Sequence, residues 1–232
     1  MIWLRKLAIG SSLLALALAS AFYWETRDLP GTEEIHDKFR DHTAPFGGKN
    51  WVPLSAIAPQ LREAVVAGED GSFYGHHGFD YDGLRAAFLE DLRTREFRRG
   101  GSTITQQVAK NVFLNPEKTL QRKFREAILT WRIERALSKD QILEVYLNVV
   151  DWGDGIAGAG SASHFYFSKA PRELTWSEAA LLAAMLANPR RLNPVKAPSE
   201  ALHLRNLLLL KLLVEQDMTP GEYQEASHSP LQ

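Results

Sequence analysis

The sequence predicts an all-α fold, and three of its features favour helices over strands. Helical periodicity dominates beyond about residue 50, strand signals are scarce, and Ser or Thr precedes Gln or Glu by three residues just before apolar runs. The chain has 232 residues, of which 45% are hydrophobic. This is enough for one sizeable globular domain but short for two, so we expect a single helical domain at 51–232.

The N-terminal segment, residues 1–24, predicts a single transmembrane helix. Arg5 and Lys6 precede an uncharged run from Leu7 to Trp24, which is near the lower length limit for a spanning helix. The charge placement predicts that Met1 is cytoplasmic and that the rest of the chain lies outside. Aromatic residues at 22–24 are typical of the outer membrane interface, and they favour a retained anchor.

A cleaved signal peptide is the alternative for the same segment. Ala17-Leu18-Ala19 and Ala19-Ser20-Ala21 both resemble small-residue cleavage sites. Both interpretations predict an exported domain. Residues 25–50 are polar, contain proline and glycine, and have no sustained period, which predicts a juxtamembrane linker.

Helix boundaries within the domain follow from capping residues. Pro59 suits the first turn of a helix that ends at Gly68, and Ser102 or Thr103 is expected to cap a helix that follows Gly100-Gly101. Asn115-Pro116 is expected to open a long helix that runs to about Leu137. Its buried face is predicted to carry Leu120, Phe124, Ala127, Ile128 and Trp131.

Further helices are predicted towards the C-terminus, separated by one irregular segment. Capping boxes at Ser138 with Gln141 and at Thr175 with Glu178 predict two of them, and Ser199 is expected to cap a last helix through Leu213. The glycine-rich stretch from Gly153 to Gly160 is expected to be irregular. The capping box is also a sufficient explanation for Glu178, so we do not assign it a catalytic role.

Composition excludes several function classes. The chain has no cysteine, which rules out disulfides, thiolate nucleophiles and cysteine metal sites. The net charge of −1 argues against a nucleic-acid partner, although basic residues concentrate between Arg93 and Arg125 and indicate a local anionic partner. The sequence contains no HExxH, phosphate-loop or GxSxG motif. His76-His77 lacks partnered carboxylates, and we expect local hydrogen bonding there rather than metal ligation.

Three groups of polar residues are candidates for chemistry. Glu69 and Asp70 follow the predicted helix end at Gly68, where the helix dipole and burial would raise a carboxylate pKa; the alternative is a solvated acidic loop. Arg122, Lys123 and Glu126 share one helix face, opposite the predicted apolar face, and the alternative for them is a surface ion pair. The helix start at residues 101–103 offers N–H groups and hydroxyls to an anion, and the alternative is plain capping.

Five ordered motifs resemble those of the family 51 glycosyltransferases, the peptidoglycan polymerases. They are EDxxFxxHxG at 69–78, GGSTITQQ with a following Lys-Asn at 100–111, RKxxE at 122–126, KxxILExYLNxxxxG at 139–153, and YFxK with a later EAAxLA at 166–183. The match covers about residues 51–194. It is similar to the stand-alone enzymes, because a transpeptidase domain does not fit in the remainder. Gly160 to Ser163 departs from the family's more alanine-rich run.

The resemblance implies a lysozyme-like catalytic domain that polymerises lipid II with inversion and releases undecaprenyl diphosphate. It implies that Glu69 is the base and that Glu126 is a second catalytic residue, which orients the diphosphate side. The substrate-binding residues that it implies are Asp70, Ser102, Thr103, Gln106, Gln107, Lys110, Arg122, Lys123 and Asn148. A mobile, membrane-dipping segment is implied between the first two motifs. Apolar residues and arginines alternate there from Phe79 to Arg99, and ordinary core packing is the alternative.

The implied partners are lipid II, the lipid-linked glycan chain and the membrane, and other cell-wall synthesis proteins are candidates. The implied location is the bacterial inner membrane, with the catalytic domain on the periplasmic side. No cofactor or metal site is required, although a divalent cation such as Mg²⁺ could help to neutralise the diphosphate. Two rival functions are a lysozyme-like hydrolase or lytic transglycosylase, which would not need the basic channel, and a catalytically idle scaffold. Intact Glu69 and Glu126 argue against the scaffold.

Overall fold

The computed structural model describes residues 2–41, 51–86, 101–192 and 194–230, and the predicted all-α class is confirmed there. Within these residues the only β-type pairing is an isolated bridge between Asp151 and Ala157. Most of the segment predicted to dip into the membrane, residues 87–100, lies outside the described residues. Residues 81–86 are helical, and Tyr81 and Leu84 are exposed, so these two side chains are not core residues.

The helices are numbered here in chain order. They are α1 (Ile2–Thr26), α2 (Thr32–Arg40), α3 (Pro59–Glu69), α4 (Ile104–Phe113), α5 (Leu120–Ala136), α6 (Lys139–Val149), α7 (Ala159–Phe167), α8 (Trp176–Met185), α9 (Pro198–Val214) and α10 (Pro220–His228). Short 3₁₀ turns lie at Leu54–Ala56 and Pro171–Glu173.

Helix α8 lies at the centre of one helical layer. Apart from Ser177 and Glu178 in its first turn its sequence is apolar on every side, which is typical of a buried helix, and it packs against α3, α9 and α10. The predicted Thr175–Glu178 capping box at its start is confirmed. Because α3 is held against this buried helix, the carboxyl end of α3 has a fixed position in the molecule.

A second layer is formed by α4, α5 and α6, with α4 in contact with both of the others. Of the two residues predicted to cap α4, Thr103 is the one observed. The predicted Ser138–Gln141 capping box is observed at the start of α6. Both layers contribute to one hydrophobic cluster. The candidate residues therefore lie on helix ends and faces that a shared core holds together.

The structure corrects the expectations for the long helix α5. It begins after Thr119, whose side chain accepts a hydrogen bond from the Arg122 N–H, and not at Asn115-Pro116. The predicted buried face was wrong, because Leu120 is 91% exposed and Trp131 is 53% exposed. The face that packs inward carries Glu126, Leu129, Thr130 and Ile133 instead. The apolar pattern was misleading because the polar inward residues have hydrogen-bond partners within the protein, which removes most of the cost of burying them.

The other boundaries differ in smaller ways. Helix α3 continues through Glu69, one residue beyond the predicted end. Helix α9 starts at Pro198 after Ala197, and not at a Ser199 cap, and α10 follows with a Thr219–Glu222 capping box that the sequence analysis missed. The irregular segment after Gly153 is confirmed only as far as Gly158, which is the residue before the start of α7.

The N-terminal region contains two helices. No helix among the described residues is long and apolar enough to cross a membrane. The stretch predicted to be an irregular linker contains α2, which packs against α5 and buries Ile35 completely. A helix this short depends on tertiary contacts, so sequence periodicity alone was a weak signal for it.

Candidate active site

Glu69 is the last residue of α3, and its carboxylate points towards α4. Gln107 donates a side-chain N–H to Glu69 Oε2 at 2.7 Å. The same Gln107 accepts a 3.4 Å hydrogen bond from the Tyr146 hydroxyl through its own Oε1. Three helices, α3, α4 and α6, therefore contribute to the environment of one carboxylate.

The pKa of Glu69 is raised above its ordinary value of 4.5, chiefly because the carboxylate is desolvated by burial. The negative charge of Asp70 raises it further. The hydrogen bonds from Gln107 and Tyr146 and the positive charge of Lys110 lower it. The net direction agrees with the sequence prediction, but burial is the main cause. A carboxylate with these properties suits the role of a general base.

Tyr146 is a site residue that sequence reasoning missed. It is completely buried, and its pKa is raised well above 10 by desolvation and by the charges of Glu69 and Asp70. Its hydroxyl therefore keeps its proton and donates it to Gln107, the side chain that in turn donates to Glu69. The available signal was its position in the motif at 139–153, but an apolar helix face explained it equally well.

Asp70 is turned away from Glu69 into a separate hydrogen-bond network. Its Oδ1 and Oδ2 lie 2.9 and 3.1 Å from His76 Nε2, and its Oδ2 accepts the Ile104 N–H at 3.0 Å. Because the Gly78 N–H donates to His76 Nδ1 at 3.1 Å, the proton of the neutral ring belongs on Nε2, where it is donated to Asp70. His76 thus hydrogen-bonds locally, as expected, but its partner is a carboxylate, which the sequence analysis did not expect. Asp70 fastens the loop after α3 to the start of α4.

The same loop lies directly against α5. Gly78 has φ +92°, and a side chain there would meet Thr130 Cγ2 at 2.8 Å. Its carbonyl accepts the Thr103 hydroxyl at 2.8 Å. Thr130 in turn donates its hydroxyl to the backbone carbonyl of Glu126. The loop that follows Glu69 is therefore held between the start of α4 and the inward face of α5.

The start of α4 is more fully occupied than the sequence suggested. Thr103 N–H donates to Gln106 Oε1, Gln106 N–H donates to Thr103 Oγ1, and Ile104 N–H donates to Asp70. These N–H groups already have acceptors within the protein, so capping accounts for the positions of Thr103 and Gln106, and a substrate-binding role for them stays a prediction. Ser102 is partly exposed and Lys110 is exposed, and Lys110 is close enough to lower the pKa of Glu69.

Glu126 forms the second candidate cluster, on the inward face of α5. The residue is 1% exposed. Arg122 Nη1 donates to its Oε2 at 2.8 Å, and Lys123 Nζ donates to its Oε1. The Lys123 side chain is half exposed, whereas that of Arg122 is mostly covered. The surface-pair alternative is wrong for this group, because a buried carboxylate holds two cations at the edge of the solvent.

The hydrogen bonds of Asn148 go to a different part of the chain. Its Oδ1 accepts the Val52 N–H at 2.8 Å, and its Nδ2 donates to the carbonyls of Val52 and Glu144. The Glu144 carboxylate binds the same segment through Trp51 Nε1 and the Leu54 N–H. Both residues attach residues 51–54 to α6. Among the described residues, no group of His, Asp and Glu has the arrangement of a metal site.

Comparisons with known proteins match these residues to one family. The family model described as Transglycosylase matches residues 42–213. A biosynthetic peptidoglycan transglycosylase of Chromobacterium violaceum is 49% identical over 140 residues, which are 60% of this chain and 61% of that protein. The protein of the same name from Acinetobacter baylyi is 43% identical over 172 residues, which are 74% of this chain and 76% of that protein.

A longer protein also matches. Penicillin-binding protein 1A of Aquifex aeolicus is 43% identical over 204 residues, which are 87% of this chain but 28% of that protein. The chain thus spans about three fifths of the Chromobacterium relative and a smaller share of the Aquifex one. The matched region, residues 42–213, includes both candidate carboxylates and the helices that carry them.

Proposed function

Because the chain belongs to the transglycosylase family, we propose that it is a peptidoglycan glycosyltransferase, which polymerises lipid II into glycan strands and releases undecaprenyl diphosphate. The observation that carries the proposal is Glu69, a largely buried carboxylate with a raised pKa, placed one hydrogen bond from Gln107 and near the charge of Lys110. Inverting transfer needs such a base on one side of the reaction and positive charge on the other.

The first half of the proposed reaction takes place at Glu69. Its carboxylate removes the proton from the 4-hydroxyl of the GlcNAc in the acceptor lipid II. The freed oxygen attacks C1 of the sugar at the end of the lipid-linked chain. A new C1–O bond forms as the C1–O bond to the diphosphate breaks, with inversion at C1. Gln107 and Tyr146 hold the base in place, because each hydrogen-bonds within this group of side chains.

The second half concerns the leaving group, which gains negative charge as the bond breaks. Arg122 and Lys123 are our candidates to bind the diphosphate, and buried Glu126 holds both cations in position. Lys110 and Ser102 are candidates on the α4 side, since neither forms part of the capping box at Thr103. A divalent cation such as Mg²⁺ could add to this charge, but the reaction as written does not require one.

The proposed location is the bacterial inner membrane, with α1 as the anchor and the catalytic domain on the periplasmic side. Support comes from the exposed apolar side chains of α1, which include Leu13, Leu14 and Leu16, and from the basic residues before them. In this proposal residues 1–24 lie in the membrane and residues 51–232 act on its outer face. The membrane, lipid II and the growing chain are then the direct partners, and other cell-wall synthesis proteins are further candidates.

The decisive experiment incubates the purified full-length protein with labelled lipid II in bilayer vesicles and separates the products by chain length. Formation of long, undigested glycan chains is the expected result, and a parallel arm with EDTA or Mg²⁺ tests the role of a divalent cation. A second arm supplies preformed glycan. Cleavage of that glycan without any polymerisation would identify a lytic enzyme, and inactivity in both arms would favour a scaffold.

A further inference from the structure

The last residues of α1 and the segment that follows them are fastened to α5, and we call residues 25–35 the arm. Arg125 Nη1 donates to the Glu25 carbonyl at 3.0 Å. The same guanidinium forms a bidentate pair with the Asp28 carboxylate, at 3.1 and 2.7 Å. Glu25 lies in the last turn of α1, so Arg125 places a positive charge at the negative end of that helix.

A second arginine on the same helix repeats this contact farther along the arm. Arg132 Nη1 donates to the carbonyls of Leu29 and Pro30, at 2.9 and 3.0 Å. Gln121 adds a pair of hydrogen bonds from its amide to the Glu25 carboxylate. Backbone carbonyls that leave a helix end need partners of this kind. Side chains of α5 therefore bind the arm at two places, at residues 25–28 and at residues 29–30.

Apolar contacts make the arm part of the domain. Leu29 and Ile35 are buried and belong to the same hydrophobic cluster as α3, α4 and α6. Phe22, near the end of α1, meets Phe124 of α5 edge-on, with ring centroids 6.1 Å apart. A segment whose side chains are buried and whose carbonyls accept hydrogen bonds is expected to move together with the domain rather than independently of it.

The arm contacts and the Glu126 cluster share one rigid helix. Arg125, which binds the arm, immediately precedes Glu126, and Gln121 immediately precedes Arg122. Neighbouring residues lie about 100° apart around an α-helix, so α5 carries the arm on one side and the carboxylate cluster on the adjacent side. Any rotation of α1 against α5 would change the orientation of that cluster relative to the membrane.

We propose that Arg125 and Arg132 are positioning residues, which fasten the arm to α5 and so hold α1 and the Glu126 cluster in one fixed orientation. This inference rests on the proposed function at the membrane. The lipid-linked substrate enters from the bilayer, and its diphosphate therefore lies at a fixed depth. A rigid link between α1 and α5 places Arg122 and Lys123 at that depth in every molecule.

A distance measurement tests the link directly. The chain has no cysteine, so Ser20→Cys in α1 and Arg172→Cys in the exposed turn at Pro171–Glu173 can be spin-labelled without background. In lipid nanodiscs we expect one narrow distance distribution for the parent chain and a broad one after Arg125→Ala with Arg132→Ala. Arg135→Ala is the matched control, since this exposed arginine of α5 stacks on Trp131 and has no hydrogen bond to the arm. A broad distribution in the parent chain would overturn the proposal.

An activity comparison separates positioning from folding. With lipid II in a bilayer, the double variant should lose on the order of tenfold or more in rate, because small misplacements of reacting groups are costly. With a short-chain analogue in detergent, its rate should match that of the parent chain, since the substrate is then free to approach at any depth. Asp28→Ala, which removes a mostly exposed partner, should give a smaller loss of the same kind.

The outcomes are distinguishable. Equal losses in bilayer and detergent, or no loss in either, would contradict a positioning role for the two arginines. If the double variant unfolds, Asp28→Ala and the width of the parent distance distribution still decide the question. If the parent chain makes no polymer in either medium, the proposed function fails. The spin-label distances then still decide whether α1 and α5 are rigidly linked.

Discussion

Gln107 donates its side-chain N–H to Glu69 at 2.7 Å, across the gap between α4 and α3. This bond lowers the pKa of Glu69, whereas burial raises it and has the larger effect. The carboxylate is thus more basic than that of an ordinary glutamate, and the hydrogen bond from Gln107 limits the rise in its pKa. The predictions for Glu69 and its neighbours follow from these two opposing effects on its pKa.

Glu69→Gln should abolish polymerisation while leaving the fold and lipid II binding intact. The amide keeps the size of the side chain but cannot accept the proton, so turnover should fall on the order of 10²-fold or more. The measurement is a chain-length assay with parallel lipid II binding. Glu63→Gln is the matched control, because this exposed glutamate lies on the same helix away from its end. Polymer formation by Glu69→Gln at more than about a tenth of the parent rate would remove Glu69 from the base role.

The same substitution has a signed effect on stability. The folded-state pKa of Glu69 is raised, so ionisation opposes folding at pH values above that pKa and has no effect below the unfolded value of about 4.5. Glu69→Gln should therefore be at least as stable as the parent chain at pH 8, and the difference should vanish below pH 4. Thermal unfolding across this range checks the prediction. A variant that is less stable at pH 8 than at pH 4, relative to the parent, would contradict it.

Tyr146→Phe should move the acidic limb of the pH–rate profile to higher pH. A base loses activity as pH falls through its pKa, and the Tyr146 hydroxyl lowers the pKa of Glu69. Removing that donor raises the pKa, so the fall in rate begins at a higher pH. Tyr166→Phe is the control, because its hydroxyl donates to the Trp152 carbonyl and lies outside this group. An unchanged acidic limb would mean that Tyr146 has no influence on the base.

The sequence was sufficient to predict several of the helix starts, because these depend on local chemistry. The caps at Thr103, Ser138 and Thr175 are each a short-range contact between a side chain and a backbone N–H three residues later. The raised pKa of Glu69 was predicted from its place at a helix end. Motif resemblance supplied the remaining roles, which stay predictions until they are measured.

The features that were not predicted depend on long-range packing, which a local sequence pattern does not show. The inward face of α5 was assigned by hydrophobicity, yet Glu126 is inside and Leu120 is outside. The spacing placed Arg122, Lys123 and Glu126 on one face of the helix, but it could not show that this face packs inward. That depends on the helices around α5. Helix α2 was missed for a similar reason, since its burial of Ile35 depends on α5, more than eighty residues away in sequence. The hydrogen bond between Asp70 and the Ile104 N–H joins residues far apart in sequence and could not be anticipated, and a substrate-binding role for Asp70 stays a prediction.

Lys123→Ala should weaken use of the lipid-linked donor with little loss of stability. Its side chain is half exposed and Arg122 still pairs with the buried Glu126 carboxylate, so the loss of stability should be smaller than that of Arg122→Ala. The loss of activity should vary with salt concentration, because it removes a charge that attracts the diphosphate. Rates at low and high ionic strength measure this.

Arg122→Ala distinguishes the role of the cluster in stability from its role in donor use. It leaves the buried Glu126 carboxylate with only Lys123, so it should lower the free energy of unfolding by about 3 kcal/mol in addition to weakening donor use. Urea unfolding provides that value. If lost stability accounted for the entire loss of activity in both variants, the cluster would be structural only.

Asp70→Ala should destabilise the fold more than it affects lipid II binding. The substitution leaves the Ile104 N–H and the His76 Nε2–H without their acceptor, which should cost about 3 kcal/mol. Asp70→Asn keeps one acceptor oxygen and should lose less. Urea unfolding of the three proteins tests the order. A stable Asp70→Ala protein that no longer binds lipid II would return Asp70 to the substrate-binding residues.

Gly78→Ala should damage both stability and activity, and a second substitution should partly repair it. The new methyl group would lie 2.8 Å from Thr130 Cγ2, on a residue whose φ of +92° already disfavours a side chain. Together these effects should cost about 3 kcal/mol. Gly155→Ala, with φ +80° and no atom within 4 Å of the added carbon, should lose only about 1 kcal/mol from the backbone effect.

Thr130→Ser identifies the contact responsible. It deletes Cγ2 but keeps the hydroxyl that donates to the Glu126 carbonyl at 2.8 Å. Combined with Gly78→Ala, it should recover the part of the loss that Thr130 Cγ2 causes, while the contact with Glu134 Cγ at 3.1 Å remains, so the deficit should stay above that of Gly155→Ala. Polymerisation should recover with it, because the loop after Glu69 would again lie against α5. Simple additivity of the two substitutions in urea unfolding would mean that the loop and α5 are not in contact at this point, and that Gly78 is required for its backbone conformation alone.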